Sequence, residues 1–285
     1  MMLWVIIMVQ NFDFHIHSKY SDGEYDVETI INKLNKSGIT NFAITDHDNV
    51  ESVDYLRERN LNNISGVEMS SRYNNLNMHI LGYYIDGDLD ELKKLCNRVS
   101  ELRKARLYEH VSKLEKEYNL QFDELDLMNL TKKYSTLGRP HIGKLLIKYG
   151  YVSSMEEAFK KYLFNVHSSI FYRMDAKLVI DAIHKAGGIA ILAHPKKIED
   201  KYNIDIEDFL PDLVEIGIDG IEIYNSLHYN EDSKRYKEIA TKYNLLISGG
   251  SDYHGPNVKP NVKLGYLNNE DLPKINIDEM TFKKS

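Results

Sequence analysis

The stretch FDFHIHSKYSDGEYD, residues 12–26, places two histidines two positions apart at the end of an apolar run. In a β-strand, residues two apart face the same side, so His15 and His17 can direct both imidazoles at one ion. Asp22 follows in a Ser-Asp-Gly stretch, which taken alone is more typical of a turn. The segment predicts a strand that delivers metal-type ligands at its end.

Short apolar runs like this one alternate with longer helical patterns along the chain, which is typical of β/α units. The runs predicted as strands are NFDFHI (11–16), NFAIT (41–45), NISGVEM (63–69), NMHILGYY (77–84), IAILAH (189–194), GIEIY (220–224) and LLISGGSD (245–252). We predict an α/β barrel, in which the active site lies at the C-terminal ends of the strands.

Between residues 88 and 172 the alternation stops, and helical periodicity with opposite charges at helical spacing takes its place. We predict a barrel domain made of residues 1–87 and 173–285, with an all-helical insertion subdomain at 88–172. The insertion could cap the barrel as a purely structural element, or it could shape a substrate pocket.

Composition limits the classes of function. Hydrophobic residues make up 42% and charged residues 28% of the 285 residues, as is ordinary for a globular protein. The single cysteine, Cys96, excludes an intrachain disulfide, so a metal site must use nitrogen and oxygen ligands. A net charge of -7 argues against coating long nucleic acids, but it allows a small phosphorylated ligand.

The apolar run from Leu3 to Val9 is too short to span a bilayer and lacks the basic leader of a signal peptide. We interpret it as a buried first strand or a slightly over-long start. The expectation is a cytoplasmic protein without membrane association.

Each candidate ligand, taken singly, is weak evidence for a metal site. A lone histidine in an apolar strand, such as His79, is more often a satisfied core residue. Their clustering indicates a metal site, because six of the eleven histidines fall at predicted strand ends beside acids.

Taken in order, the motifs FDFHIHSKYSDGEYD, FAITDHDNV, GVEMSS, MHILGYY, LAHP and GGSDYHG resemble those of the polymerase-and-histidinol-phosphatase (PHP) family over nearly the whole chain. The resemblance implies a distorted (β/α)7 barrel with a di- or trinuclear metal centre. The helical insertion and its GRPH sequence (138–141) narrow it to enzymes that dephosphorylate nucleoside 3′,5′-bisphosphates, whose relatives trim RNA from the 5′ end.

The resemblance also implies nine ligands. One ion would be surrounded by His15, His17, Glu68 and Asp252. A second ion, bridged by the same glutamate, would be completed by His79 and His194. A third would be held by Asp22, His47 and His254. Two to three divalent ions are expected, with Mn²⁺ favoured and Fe²⁺, Zn²⁺ or Mg²⁺ as alternatives.

Arg139 and His141 carry two interpretations. From the residues alone, Arg139 caps or salt-bridges a helix and Pro140 starts the next one. With the resemblance, both become catalytic and substrate-binding residues, since a guanidinium matches phosphate oxygens bidentately. Further residues after the strand GIEIY could line the same pocket or simply form a loop: Tyr224, Asn225 and His228.

Asp46 and Asp48 flank His47, and we expect one to orient its ring and the other to cap the following helix. The remaining histidines that lack a visible partner are interpreted as surface residues: His110, His167 and His184.

The leading hypothesis is a metal-dependent phosphoesterase that removes the 3′-phosphate of a nucleoside 3′,5′-bisphosphate through a metal-bridging hydroxide. The closest alternative is a 5′-to-3′ exonuclease acting on short RNA oligonucleotides. Histidinol-phosphate phosphatase is a poorer match. Two alternatives of other classes are an amidohydrolase-type deaminase and a non-catalytic metal-binding module.

Overall fold

The computed structural model describes residues 12–59, 61, 63–134 and 136–265. The apolar run Leu3–Val9, with its predicted first strand, lies outside these residues. Within the described ranges, no helix is both long and apolar enough to cross a membrane.

Among the described residues, eight strands form one sheet. Their bounds are β1 (Phe12–Ile16), β2 (Asn41–Ile44), β3 (Ile64–Tyr73), β4 (Leu76–Tyr83), β5 (Met174–Asp175), β6 (Ile189–Leu192), β7 (Gly220–Asn225) and β8 (Leu246–Gly250). Seven of them follow the order β1-β2-β3-β4-β6-β7-β8, and the two-residue β5 pairs with β3 off this path.

The two ends of this path meet. The backbone N–H of Asp252 donates to the carbonyl of His15 at 2.8 Å, and that of His17 donates to the carbonyl of Tyr253 at 2.9 Å. The segment after β8 is therefore hydrogen-bonded to β1, which nearly closes the sheet. The predicted α/β fold, a distorted barrel of seven strands, is confirmed.

In the part of the chain that the structure describes, ten α-helices surround or extend the barrel. Their bounds are α1 (Val27–Lys36), α2 (Glu51–Glu58), α3 (Asp90–Tyr118), α4 (Glu124–Lys133), α5 (Arg139–Lys148), α6 (Met155–Ala158), α7 (Ala176–Lys185), α8 (Pro195–Tyr202), α9 (Leu210–Glu215) and α10 (Asn230–Lys242). A π-helical turn (Phe159–Leu163) and a 3₁₀ turn (Ile206–Asp208) complete the set.

Helix α1 shows how the sequence encodes one unit. Its buried residues Val27, Ile30 and Leu34 recur at helical spacing, so one face packs against the barrel. The Asp26 side chain accepts a hydrogen bond from the N–H of Thr29 at 2.8 Å, which satisfies a free donor at the helix start. Gly38 ends the helix with a φ of +73°, where a side chain would be strained.

The middle of the sheet departs from simple β/α units. Strands β3 and β4 form an antiparallel hairpin, and β4 is also antiparallel to β6. The sequence analysis placed Glu68 at the end of a strand, and this is wrong. Glu68 lies in the middle of β3, which continues to Tyr73. Because β4 runs in the opposite direction, its beginning lies at the barrel end where the parallel strands finish.

The helical segment has its own apolar core. The first half of α3 packs on the barrel through Leu92 and Cys96. Its second half joins a separate cluster, which includes Leu107, Leu114 and Leu146. This division supports the proposal that residues 88–172 form an inserted subdomain.

A hydrogen bond crosses the barrel interior. The buried hydroxyl of Tyr83 on β4 donates to the carbonyl oxygen of Phe14 on β1 at 2.8 Å, and it lies 3.2 Å from the hydroxyl of Ser248 on β8. Strands that are not neighbours in the sheet are thereby held together.

We expect Tyr83→Phe to lower the free energy of unfolding by about 1–3 kcal/mol, because it leaves buried polar partners unsatisfied. Urea denaturation followed by circular dichroism measures the loss. Tyr73→Phe is the control, since its hydroxyl bonds Asp212 at 3.0 Å in an exposed position, and it should change stability by less than about 0.5 kcal/mol. Equal stability of both variants would show that the bond across the barrel is dispensable.

Candidate metal centre

One buried carboxylate lies at the centre of the site. Glu68 is inaccessible to solvent, and five imidazole nitrogens surround it. Three histidines lie 3.0–3.1 Å from its Oε2, namely His15, His17 and His47. Two more lie 2.8–2.9 Å from its Oε1, namely His79 and His194.

The barrel brings these residues together from different strands. His15 belongs to β1 and His17 follows it, with both side chains on one face. His47 follows β2 and forms an isolated parallel bridge with Glu68. His79 comes from the beginning of β4 and His194 from the end of β6, and the antiparallel direction of β4 puts these two positions at the same barrel end.

Acids complete the site on one side. The Oδ1 of Asp252 lies 3.6 Å from the Nε2 of His15 and 3.3 Å from that of His17. The Oδ1 of Asp22 lies 3.4 Å from the Nε2 of His254.

Asp252 has a φ of +58° and His194 a φ of +30°. Both are backbone conformations that side chains rarely adopt, and such strain is often found at functional sites.

Three groups of these residues have ligand atoms within 4.8 Å of one another. One consists of His15, His17, Glu68 and Asp252, the set expected around a first ion. The second combines His47, Glu68 and His79. The third consists of His17, Asp22, His47 and His254. The groups contain eight of the nine expected ligands, with His47 joining the second group and His17 the third. The ninth, His194, is in none of the three groups, although its Nε2 lies 2.9 Å from the Oε1 of Glu68.

The donor set fits divalent cations. Several buried ligand atoms make no hydrogen bond although they face one another: both ring nitrogens of His17, the Nε2 of His15, the Nδ1 of His47, the Oε2 of Glu68 and the Oδ1 of Asp22. Buried polar atoms are rarely left unsatisfied. Mixed imidazole and carboxylate ligands suit Mn²⁺, Fe²⁺ or Zn²⁺, and a cation at each group would satisfy them.

The electrostatics keep the acids ionised. Burial alone would raise the pKa of Glu68, but His47, His15 and His79 hold it well below its ordinary value. Asp252 is likewise buried, and the charges of Lys259 and His15 lower its pKa well below the usual range. The Nζ of Lys259 lies 2.5 Å from the Oδ2 of Asp252. Ionised carboxylates are the form that binds metal.

Two buried acids that the sequence analysis missed make hydrogen bonds to the candidate ligands or to the segments that carry them. Glu222 accepts from the backbone N–H of His194 at 2.7 Å, and its Oε1 lies 2.9 Å from the Nδ1 of His15. This contact leaves the Nε2 of His15 to face Glu68, as is usual for a metal-bound imidazole with a carboxylate behind it. The signal was visible in GIEIY, where an acid stands inside an apolar strand.

Asp13 is the other acid. It accepts from the N–H and the hydroxyl of Ser251 at 2.9 and 2.6 Å and from the N–H of Gly265 at 2.8 Å. Burial raises its pKa, although these hydrogen bonds act in the opposite direction. It joins β1 to the segment that carries Asp252 and His254.

The roles predicted for Asp46 and Asp48 are wrong. Asp46 accepts from the hydroxyls of Ser18 and Ser21 at 2.7 and 2.6 Å, so it fixes the loop after β1 rather than the ring of His47. Helix α2 begins at Glu51, and Asp48 does not cap it because Val50 occupies the N-cap position.

Asp48 holds Arg103 instead. Its carboxylate accepts from the N–H of Ser70 at 2.7 Å and from the Nη2 of Arg103 at 2.8 Å. The Nη2 of this arginine also donates to the hydroxyl of Ser70 at 3.0 Å, and its guanidinium lies 4.0 Å from the ring centroid of Tyr172. Arg103 is a half-buried residue of the helical segment that the sequence analysis did not single out.

Arg139 begins α5, with Pro140 in the first helical turn, and lines a cavity of about 400 Å³. We call this cavity the arginine pocket. None of the described residues that line it is acidic, and its charged lining consists of Arg103, Arg106, Arg139, Arg173 and Lys201. Asn77, which also lines it, lies two positions before His79 on β4, so the pocket adjoins the metal centre.

His141 lies in the first turn of α5. Its Nδ1 accepts from the N–H of Gly138 at 3.1 Å, and its ring packs against Tyr134 with 4.5 Å between centroids. Burial and the nearby Lys144 lower its pKa. The hydrogen bond to Nδ1 leaves the proton of the neutral ring on Nε2.

The residues after β7 are more deeply placed than expected. Asn225 donates to Glu222 at 3.1 Å, and the Nδ1 of His228 lies 3.0 Å from the carbonyl of Ile223. All three residues predicted here are buried, and none of them lines the arginine pocket: Tyr224, Asn225 and His228. The structure therefore does not bring them to the cavity that Arg139 lines.

Of the histidines expected at the surface, His167 and His184 are exposed. His184 pairs with Asp219 at 2.7 Å. His110 contradicts the expectation, because it is buried and its Nδ1 lies 2.7 Å from the carbonyl of Arg106. It occupies the inner face of α3.

Comparison with known proteins agrees with this geometry. The family model of the PHP domain matches residues 13–172. Three similar proteins are a phosphoribosyl 1,2-cyclic phosphate 1,2-diphosphodiesterase of Eggerthella lenta, 30% identical over 85% of this chain and 94% of the relative; a 5′-3′ exoribonuclease of Haemophilus influenzae, 29% identical over 87% and 92%; and a 3′,5′-nucleoside bisphosphate phosphatase of Chromobacterium violaceum, 28% identical over 93% and 93%.

Among solved structures, a protein of Bifidobacterium adolescentis named as a metal-dependent phosphoesterase matches with a TM-score of 0.73 and 26% identity, over 92% of this chain and 93% of its own. The family expected from the motifs is confirmed, together with the branch of bisphosphate phosphatases and 5′-3′ exoribonucleases. The chain belongs to the PHP domain family and is a metal-dependent phosphoric ester hydrolase.

Proposed function

We propose that this enzyme hydrolyses the 3′-phosphoester of a nucleotide that also carries a 5′-phosphate, with a nucleoside 3′,5′-bisphosphate as its simplest substrate. The observation that carries the proposal is the arginine pocket beside the metal centre. A site with four arginines and no acid among its described lining residues suits a second, unreacting phosphate.

The nine ligands of the centre would hold two to three divalent ions, for which Mn²⁺ is our choice. Bound ions of this kind lower the pKa of a coordinated water and neutralise the charge of a phosphoryl group. The side chains of the protein position the metal ligands. Glu68 faces histidines from four segments of the barrel, and Glu222 orients the ring of His15.

The arginine pocket would bind the 5′-phosphate. Burial and the positive charges of Arg139 and Arg173 lower the pKa of Arg106, so a dianion there would relieve repulsion that now exists. Arg103 is committed to Asp48, whereas Arg139 makes no ion pair within the described residues, which leaves its guanidinium for the ligand.

His141 has the properties of a hydrogen-bond donor to substrate. Its lowered pKa keeps the ring neutral near pH 7, and the Gly138 N–H fixes the proton on Nε2. In that form we propose that it donates to a phosphate oxygen or to the departing 3′-oxygen.

A second candidate is a phosphoribosyl cyclic phosphate, because the relative with 30% identity is named for that substrate. By its name this compound also combines a ribose phosphate with a second phosphoester, so the same pocket would serve it. Turnover of a panel distinguishes the candidates: a nucleoside 3′,5′-bisphosphate, a 5′-phosphorylated oligoribonucleotide, a phosphoribosyl 1,2-cyclic phosphate and histidinol phosphate, each with Mn²⁺ added. Faster turnover of the cyclic compound or of histidinol phosphate than of the bisphosphate would reject the proposal.

We expect Glu68→Gln to lower turnover of the bisphosphate by at least about 100-fold and to reduce the number of bound ions, since a neutral amide is a poor ligand shared between ions. Elemental analysis after dialysis against Mn²⁺ and EDTA titration of activity measure both effects. Glu156→Gln, at an exposed position, is the matched control. Full ion content and activity in Glu68→Gln would remove this residue from the centre.

We expect Arg139→Ala to reduce kcat/KM for the bisphosphate by the equivalent of about 1.5–3 kcal/mol, the value of a charge-assisted hydrogen bond. Hydrolysis of an aryl phosphate, which has no second phosphate, should stay nearly unchanged. Arg139→Lys should recover only part of the loss, since a point charge cannot replace the bidentate fork. Arg98→Ala, on the exposed side of α3, is the control.

Equal losses on the bisphosphate and the aryl phosphate would instead assign Arg139 to the fold or to the metal centre. Unchanged kinetics on both substrates would mean that it does not bind substrate.

A further inference from the structure

A second cavity, of about 370 Å³, lies on another face of α3 and is lined by Asp48, the residue after His47. Its walls come from the loop between β2 and α2, from α3 and from the end of α4, and we call it the lysine cavity. The charged residues that line it are Asp48, Glu51, Lys93, Lys104 and Lys132. A volume of this size is within the range of small-ligand pockets.

The lysine cavity is linked by Asp48 to the site already described. Asp48, which lines it, directly follows His47, and its backbone N–H donates to the carbonyl of Glu68 at 2.9 Å. Its carboxylate holds Arg103, which lines the arginine pocket, at 2.8 Å. The Asp48–Arg103 ion pair thus joins a lining residue of one cavity to a lining residue of the other, one position after the candidate ligand His47.

The charges left in the cavity after internal pairing are mainly positive. Asp48 is neutralised by Arg103, and Lys93 lies 2.9 Å from Asp54. No ion pair within the described part of the chain involves Lys104 or Lys132, and Glu51 is the remaining acid of the lining. In a protein with a net charge of -7, two uncompensated lysines here indicate an anionic ligand.

An aromatic ring completes the cavity. Tyr134 lines it and packs against His141, and the ammonium groups of Lys133 and Lys144 lie 5.3 and 6.0 Å from its ring centroid. Single-stranded nucleic acid binds to surfaces that combine cations for the backbone with aromatic rings for the bases. Asn97 and Ser100 in the same lining can hydrogen-bond to 2′-hydroxyls.

We propose that the lysine cavity binds the part of an RNA strand that continues 3′ of the phosphoester being hydrolysed. The inference rests on the proposed function and extends it to oligonucleotides. The 5′-terminal nucleotide occupies the arginine pocket, the first phosphodiester lies at the metal centre, and the next nucleotide enters the lysine cavity.

The chemistry is the same for both substrates. The oxygen of water forms a bond to phosphorus and the bond from phosphorus to the 3′-oxygen breaks. The bonding electron pair leaves with the 3′-oxygen, which takes up a proton. From a bisphosphate the second product is free phosphate. From an oligonucleotide the phosphate stays as the new 5′-end of the shortened strand.

The test compares Lys104→Gln/Lys132→Gln with the wild-type enzyme on two substrates, a 5′-phosphorylated pentaribonucleotide and a nucleoside 3′,5′-bisphosphate, in Mn²⁺. We expect KM for the pentanucleotide to rise about tenfold, and the slope of log KM against log salt to become shallower by about 0.7 per lysine. The kinetics on the bisphosphate should stay within twofold. Lys116→Gln/Lys160→Gln, at exposed positions away from the cavity, is the matched control.

Equal losses on both substrates, or no loss on the pentanucleotide, would overturn the proposal. So would wild-type enzyme that hydrolyses the bisphosphate but not the pentanucleotide, an outcome that leaves the proposed function intact. Tyr134→Leu should raise KM for the pentanucleotide and Tyr134→Phe should restore it, because stacking needs the ring and not the hydroxyl.

Binding measured without turnover keeps the two proposals separable. Fluorescence anisotropy of a labelled, 5′-phosphorylated pentaribonucleotide with the metal-free enzyme in EDTA reports binding to the two cavities without turnover, and comparing the variants isolates the contribution of the lysine cavity. Weaker binding to Lys104→Gln/Lys132→Gln than to the control variant supports the subsite even if the wild-type enzyme proves inactive on the whole panel, which would reject only the proposed function. Identical binding to both variants rejects the subsite.

Discussion

The burial of one carboxylate organises this site. Glu68 lies away from solvent in the middle of a strand, and an ionised carboxylate in such a place is costly unless positive or polarised groups surround it. Five imidazoles from four segments of the barrel meet that requirement. The antiparallel β3–β4 hairpin makes the meeting possible, because it turns the beginning of β4 toward the end of the barrel where the parallel strands finish. The departure from regular β/α order is therefore part of how the site is built.

A second layer of acids fixes the first. Glu222 holds the ring of His15 and the backbone of His194, while Asp13 ties β1 to the segment after β8. These contacts close the barrel and orient the ligands with the same few groups, so the stability of the fold and the geometry of the centre are coupled. The positive φ of His194 and Asp252 is tolerated because the surrounding hydrogen bonds hold the backbone in place.

The barrel and the helical segment contribute different residues to the site. All nine candidate ligands come from the barrel strands and their loops, whereas α3 to α5 supply Arg103, Arg106, Arg139, Lys104 and Lys132 to the two cavities. Helix α3 presents different faces to the two cavities, and the Asp48–Arg103 ion pair connects it to the loop that carries His47. The residues that line the two cavities can therefore change without altering the candidate ligands.

The sequence by itself determined the α/β class, the seven strands of the barrel path and the ligand types, because strand periodicity and the placement of histidines and acids are local patterns. It did not determine which ligands group together, since His17 and His47 approach two groups each only after the barrel closes. Nor did it reveal Glu222, Asp13 or Arg103, whose partners lie 207, 238 and 55 residues away along the chain. Asp46 and Asp48 illustrate the limit: their neighbours in sequence suggested roles beside His47, but hydrogen bonds to Ser18 and Arg103 decided otherwise. A buried polar side chain satisfies its hydrogen bonds with whatever the tertiary structure places next to it, and no local pattern records that choice.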